Sequence, residues 1–149
     1  MLKIAHHALY NHPLKENHRF PMIKYELIPE QLIMENTCVE NNFFKPKIIS
    51  EENVLFTHDK IYFDKLQNQR LDRKEIRAIG FPMSEKLIER EKTIVQGTVE
   101  CSINSLKYGI SMNIAGGTHH AFTNRAEAFC LLNDQAIAAN FLLKNDYCK

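Results

Sequence analysis

The stretch from Ser84 to Gly109 constrains the fold of this chain more than any other. Ser84 is placed to cap a helix, its hydroxyl accepting from the orphan amides of the first turn, and Glu85 complements the positive helix end. Ile88, Val95, Val99, Ile103 and Leu106 then fall on one stripe, with Glu89, Lys92, Gln96 and Glu100 elsewhere, and Gly109 follows as a stop. Such a helix should pack its apolar stripe on a sheet. Ile110 to Ile114 reads as a strand, Ala115 to Arg125 as a loop, and Phe129 to Lys144 as a second helix whose apolar face includes Leu132, Ile137, Phe141 and Leu142. Strand, glycine-bearing loop and helix make half of a β-α-β unit, in which functional groups sit at the carboxyl ends of parallel strands. Gly97 in the long helix costs about 1 kcal/mol relative to alanine and points to close backbone packing or to simple tolerance.

The remainder reads less clearly. Met1 to Ala5 is a short apolar run suited to a buried strand, and His6 to His18 carries the turn formers Asn11 and Pro13. From Pro21 to Met34 apolar residues recur at helical spacing, with Pro29 able to break or kink the run, so one or two short helices are expected. Asn41 to Lys47 reads as irregular. Ser50 to Leu71 mixes a short helix, an extended Val54-Leu55-Phe56-Thr57 and an amphipathic stretch bearing Ile61, Tyr62 and Leu66.

Composition sets the outer bounds. The 149 residues are 44% hydrophobic and 25% charged, which suits one globular unit over residues 1–149 with a real core. A formal charge of +1 offers no cationic field for a phosphate backbone, so nucleic acid is not expected as a direct partner. Cys38, Cys101, Cys130 and Cys148 form no C-x-x-C pair and read as free thiols. With no apolar run near the ~20 residues that cross a bilayer, no membrane contact is expected and a cytoplasmic setting is.

The loop Ala115-Gly116-Gly117-Thr118-His119-His120-Ala121-Phe122 places two adjacent imidazoles just past the expected strand end. Paired glycines let the backbone turn sharply there, and histidine is the side chain best suited to exchange protons near neutral pH. A bare His-His pair more often belongs to a solvated loop. Its surroundings change that reading. Residues 116 to 134, GGTHHAFTNRAEAFCLLND, resemble the histidine-pair loop and following helix of the histone deacetylase and acetoin-utilization superfamily, most closely its bacterial, class IV-like branch. His18-Arg19-Phe20-Pro21-Met22 with Lys24-Tyr25, and Ile79-Gly80-Phe81-Pro82, are similar to segments of the same branch in the same order.

The resemblance spans essentially the whole chain and about half of a usual family domain, which makes residues 1–149 the N-terminal portion of such a domain. It implies a three-layer αβα fold with a mostly parallel sheet, arginase and deacetylase-like but truncated, and zinc-dependent hydrolysis of N-acetyl amides such as acetyl-lysine. By that carry-over His119 and His120 take base, acid and electrostatic roles. Phe129 and the backbone of Ala128 line the channel that grips the acyl arm, and Arg19 belongs to an internal cavity behind the site. The family usually writes glycine at the positions of Ala126 and Ala128, so added methyl groups there imply strain if φ is positive.

The family's zinc ligands and its electrophilic tyrosine follow this helix, past Lys149. No metal ligand is therefore assigned within this chain, zinc is expected for the full-length domain and not for this polypeptide, and no catalysis is expected of it alone. Strands that would cover Ile110 to Ile114 are also missing, leaving an unpaired edge. The implied partners are an acetylated substrate in the complete enzyme and a complementary C-terminal polypeptide or a second copy of the chain. The leading expectation is a deacetylase fragment. The alternative is a non-catalytic module that binds a partner or assembles with a separate second half, and a remote third is an unrelated enzyme using Cys130 and His119. Cys130, at an expected helix start among apolar neighbours, reads as a buried inert thiol.

Overall fold

The apolar run at the start of the chain becomes β1 (Lys3–Ala5) in a computed structural model that describes residues 1–148. Successive strand residues point to opposite faces, and Ile4 and Ala5 are both buried, so β1 is covered on both sides. It is the middle strand of a sheet in the order β2-β1-β3, with β2 at Phe43–Phe44 and β3 at Ser111–Asn113. Both pairings are parallel: Ile4 stands opposite Phe43 and Met112, and Ala5 opposite Phe44 and Asn113. The parallel α/β architecture expected from the strand, loop and helix order is therefore present. The Asn41 to Lys47 segment is more ordered than expected, because it contains β2 and the end of a 3-10 turn at Glu40–Asn42.

α1 (Lys24–Met34) is a single helix that runs through Pro29. A proline lacks the amide that would bond to the carbonyl four residues earlier. That carbonyl, on Tyr25, lies 3.2 Å from His6 Nε2, so the ring donates in place of the missing amide. The extended Val54 to Thr57 is not extended. α2 (Glu51–Val54) ends there, capped by Ser50 accepting from the Asn53 amide, and Thr57 and His58 turn back to donate to the Val54 carbonyl. On α3 (Lys60–Gln67), Tyr62, Phe63 and Leu66 are buried while Ile61 faces solvent. α4 (Arg73–Ile79) was not anticipated. Asp72 accepts from the amides of Lys74 and Glu75 while its own amide donates to Glu75, a capping box, and Gly80 at φ 80° ends the helix.

α5 (Glu85–Tyr108) has the bounds expected of it, with Ser84 accepting from the Leu87 amide and Gly109 at φ 84° ending it. Its buried face is wider than the expected stripe, since Leu87 and Ile94 join Ile88, Val95 and Val99, while Leu106 is exposed. Gly97 reflects close packing: a Cβ there would stand 2.5 Å from the Tyr10 hydroxyl and 2.8 Å from Asn113 Nδ2. α6 (Asp134–Lys144) begins five residues later than expected, and packs along α5. Leu131 and Leu132 are buried ahead of it, and Asn133 caps it by accepting from the Ala136 amide. Among the described residues no helix is long and apolar enough to cross a membrane. β3 lies at one edge of the sheet, with Ile110 and Met112 exposed.

Candidate active site

The backbone leaves β3 through Gly116 at φ 121° and Gly117 at φ 72°, angles that L side chains rarely adopt. Asp134, buried at the first turn of α6, holds this turn: Oδ1 accepts from the Thr118 amide at 2.7 Å and Oδ2 from the Gly117 amide at 3.1 Å. Thr98 on α5 donates to Oδ2 at 2.6 Å, and the Thr118 hydroxyl accepts from the Asp134 amide. A Cβ on Gly116 would stand 2.5 Å from Oδ2, so the carboxylate fills the space a side chain would take. Asp134 closes the quoted motif, yet sequence reasoning gave it no role. Its place at the start of a helix, where a carboxylate is favoured, was the available signal.

The clamp ends one residue before the histidine pair. His119 Nδ1 lies 2.8 Å from the Gly117 carbonyl, which can only accept, so Nδ1 carries a hydrogen. The two rings stand 4.2 Å apart between centroids. Both histidines are exposed, and His120 opens onto a cavity of about 210 Å³ that it shares with Gly116 to Thr118, Ala128, Phe129 and Cys130. The structure thus brings His120, Ala128 and Phe129 to one concavity, with the His119 ring beside it, tilted 39° to that of His120.

The opposite wall comes from sequence motifs whose purpose was not evident. Phe129 packs against Phe81 and Phe20, with centroids 4.9 and 5.1 Å away. A Cβ on Gly80 would reach the Phe129 ring at 2.9 Å, so the glycine of Ile79-Gly80-Phe81-Pro82 makes room for the aromatic wall. His18 ties the two segments together: Nε2 lies 3.0 Å from the Gly80 carbonyl, and Nδ1 accepts from the Phe20 amide. Ala128 and Phe129 have φ of 49° and 68°, and their amides donate to the carbonyls of Ala78 and Ile79 at the end of α4. The residue expected to start a helix is instead bonded into a strained turn. Alanine occupies the left-handed position where the resemblance implied glycine, so the anticipated strain at Ala128 is present.

Arg19 is exposed, with its guanidinium 4.7 Å from the Phe129 ring centroid, and it is not among the residues lining the cavity. The arginine that lines it is Arg90 of α5, which the sequence does not set apart from the other charged residues of that helix. Arg90 is 3% exposed, donates from Nε to the Tyr10 carbonyl at 2.8 Å, and pairs through Nη1 with Glu91. Burial pushes the Glu91 carboxyl above the usual carboxylate range, against the pull of Arg90. Cys130 is buried in the turn before α6, and burial raises its thiol, so it lacks the thiolate character a nucleophile needs.

His58 supports the same loop from behind. It is buried, with Nδ1 3.2 Å from the Thr123 carbonyl and Nε2 accepting from the Asn133 amide at 3.0 Å, and desolvation holds its pKa below the usual histidine value. A neutral ring suits both bonds. Among the described residues no group of three His, Cys, Asp or Glu side chains could hold a metal ion. Asp134, the carboxylate that clamps the loop, already has both oxygens engaged. These residues do not by themselves fit a zinc site.

Comparison with known proteins places this geometry. The family model described as "Histone deacetylase domain" matches residues 13–149. An uncharacterised protein of Picosynechococcus sp. is 34% identical over 135 residues, which cover 91% of this chain and 45% of that protein. The acetoin utilization protein AcuC of Staphylococcus aureus is 25% identical over 146 residues, covering 91% of this chain and 38% of AcuC. The chain therefore spans less than half the length of these relatives. A crystal structure of an HDAC homologue from Aquifex aeolicus shares the fold, with a TM-score of 0.76 and 24% identity, over 97% of this chain and 41% of that one. On the extent of these matches, the chain belongs to the histone deacetylase and acetoin utilization superfamily.

Proposed function

We propose that this chain carries the proton-transfer and acyl-gripping half of a deacetylase site, for hydrolysis of N-acetyl amides such as acetyl-lysine. One observation carries the reading: His120, Ala128 and Phe129 line a single cavity at the carboxyl end of a parallel strand. Phe129, fixed by its ring contacts and by the hydrogen bond its amide donates to the Ile79 carbonyl, forms the wall against which an acyl-lysine stem packs. His120 faces the space where the amide carbon would lie, and serves to take a proton from an attacking water and return it to the departing amine. His119 supports the pair, its orientation fixed by the Gly117 carbonyl.

In a complete family domain zinc would polarise the acyl carbonyl; its ligands would have to come from outside the residues described here. The chain alone is accordingly expected to be inactive. Free cysteines suit the cytoplasm, where we place it. The test is reconstitution: the purified chain is combined with a polypeptide supplying the remainder of a histone deacetylase domain, in the presence of zinc, and assayed on an acetyl-lysine reporter. Turnover above that of either part is expected, falling by about 100-fold or more in His120→Ala. Turnover by the chain alone, or reconstituted turnover indifferent to His119→Ala and His120→Ala, contradicts the reading.

A second reading, a non-catalytic module that joins another polypeptide or a second copy of itself, is favoured by the edge of β3. Its backbone groups on the side away from β1 have no strand partner among the described residues, and Ile110 and Met112 beside it are exposed. Association without His120-dependent turnover in the same experiment is the outcome that supports it.

A further inference from the structure

A second cavity, of about 560 Å³, lies between the C-terminal half of α1 and β2, the edge of the sheet opposite β3. It shares no described lining residue with the cavity beside His120. Small-molecule sites commonly enclose roughly 300–1,000 Å³ and have mostly apolar walls with a few polar groups. Pro29, Ile33, Phe43 and Phe44 give this cavity such walls. Hydrogen bonds hold the walls in place without a ligand. The Thr37 and Cys38 amides donate to the Leu32 carbonyl where α1 ends, and the Asn42 side chain accepts from the Val39 amide and donates to the Leu2 carbonyl. His6, which also lines the cavity, ties β1 to α1 through the Tyr25 carbonyl.

The charged residues of the lining are Glu30, Glu40 and Lys45, and among the described residues none of them forms an ion pair. Two carboxylates against one ammonium leave the lining with a negative charge in excess. His6 does not offset it, because burial holds its pKa below the ordinary value and the ring is neutral near neutral pH. That ring meets Phe43 edge to face with centroids 6.3 Å apart, so aromatic side chains and carboxylates line the same space. Aromatic faces attract organic cations, and carboxylates add an ionic contribution that a neutral ligand cannot collect. We propose that this cavity binds a small organic ammonium ion with an apolar or aromatic body. The apolar walls take the body, and Glu30 and Glu40 take the ammonium. The assignment does not depend on reading His120 as a base.

The purified 149-residue chain is titrated with 2-phenylethylamine at neutral pH and constant ionic strength, and backbone amide shifts are followed by NMR. Saturable shifts are expected at Glu30 to Met34 and Phe43 to Lys45, with Gly116 to Thr118 unmoved. Three further probes separate the contributions. 2-Phenylethanol has the body without the charge and should bind about fivefold more weakly. 3-Phenylpropanoate has the opposite charge and should bind more weakly still. Ethylamine has the charge without the ring, and its affinity should fall by about tenfold or more.

Glu30 and Glu40 are both exposed, so Glu30→Gln with Glu40→Gln should leave the fold intact. The double variant is expected to weaken the amine by about fivefold and to erase its advantage over the alcohol. Lys45→Gln removes a like charge and should leave amine binding unchanged or tighter. Several results would overturn the site: no saturable binding of the amine, shifts confined to Gly116 to Thr118, or the alcohol or the anion binding as tightly as the amine. Ethylamine binding as tightly as 2-phenylethylamine, or amine binding indifferent to the loss of both carboxylates, would do the same. Every readout is binding at a cavity remote in sequence from the histidine pair, so its failure leaves the hydrolytic reading as it stands, and a failed reconstitution leaves this site measurable.

Discussion

Ala128 and Phe129 are consecutive non-glycine residues in the left-handed region, and they sit on the wall of the proposed site. The Cβ of an L-residue crowds the following carbonyl there, at roughly 1 kcal/mol or more per residue. What holds them is specific: two hydrogen bonds from their amides to carbonyls at the end of α4 and the aromatic packing of Phe129. Ala128→Gly should therefore stabilise the chain by about 0.5–1 kcal/mol, read as a higher urea midpoint with unchanged slope. An unchanged or lower midpoint would mean that the turn carries no such strain. The histidine pair and Phe129 were legible from the residues that surround them in sequence. Arg90 was not, because a charged residue within a helix announces neither its burial nor its partner, and Asp134 offered only the signal of a carboxylate at a helix start.

α5 shows what local rules decide well. A serine cap, an apolar stripe and a terminal glycine act within a few residues of one another, and its ends fall where those signals place them. α4 had equally local signals, the Asp72 and Glu75 capping box and Gly80, which the sequence reading left unused. α6 is the opposite case. Phe129 to Leu132 continue its apolar pattern, but the Phe129 amide is bonded to the Ile79 carbonyl, so the chain stays out of helix until Asn133 caps it. Gly97 was ambiguous from sequence because its reason lies on other elements, Tyr10 and Asn113, which bond to each other at 2.9 Å across its bare Cα. Gly97→Ala should lose stability by about 1–2 kcal/mol, since overpacking outweighs a helix-propensity gain of about 1 kcal/mol. Chemical denaturation of the two proteins checks the sign, and a more stable variant would show that the packing yields without cost.

Taken together, half-buried His6 and buried His12 and His58 make the molecule acid-sensitive. His6, His12 and His58 all have pKa values lowered by burial from the ordinary 6.5. The unfolded chain therefore binds protons at these positions more readily than the folded one. Their effect on stability is absent above about pH 6.5, and stability falls as pH drops below that value until the folded rings also protonate. Unfolding free energy should decline between pH 7 and pH 5, by up to about 1.4 kcal/mol per pH unit for each histidine that stays neutral. His58→Gln should make the decline shallower, provided Asn133 and Thr123 keep partners. A flat profile over that range would mean that these rings admit protons without opening the fold.

The residues alone determined the family, the order of strand, loop and helix, the bounds of α5 and the position of the histidine pair, because motifs, caps and periodicity act over short distances along the chain. Only the tertiary structure decided that Phe129 closes a turn rather than opening a helix, that Gly97 and Gly80 are spaces kept for Tyr10 and Phe129, and that Arg90, not Arg19, faces the cavity beside His120. Those outcomes depend on groups tens of residues apart meeting across the core. Burial and close approach of that kind are properties of the packed chain, with no local signature in its sequence.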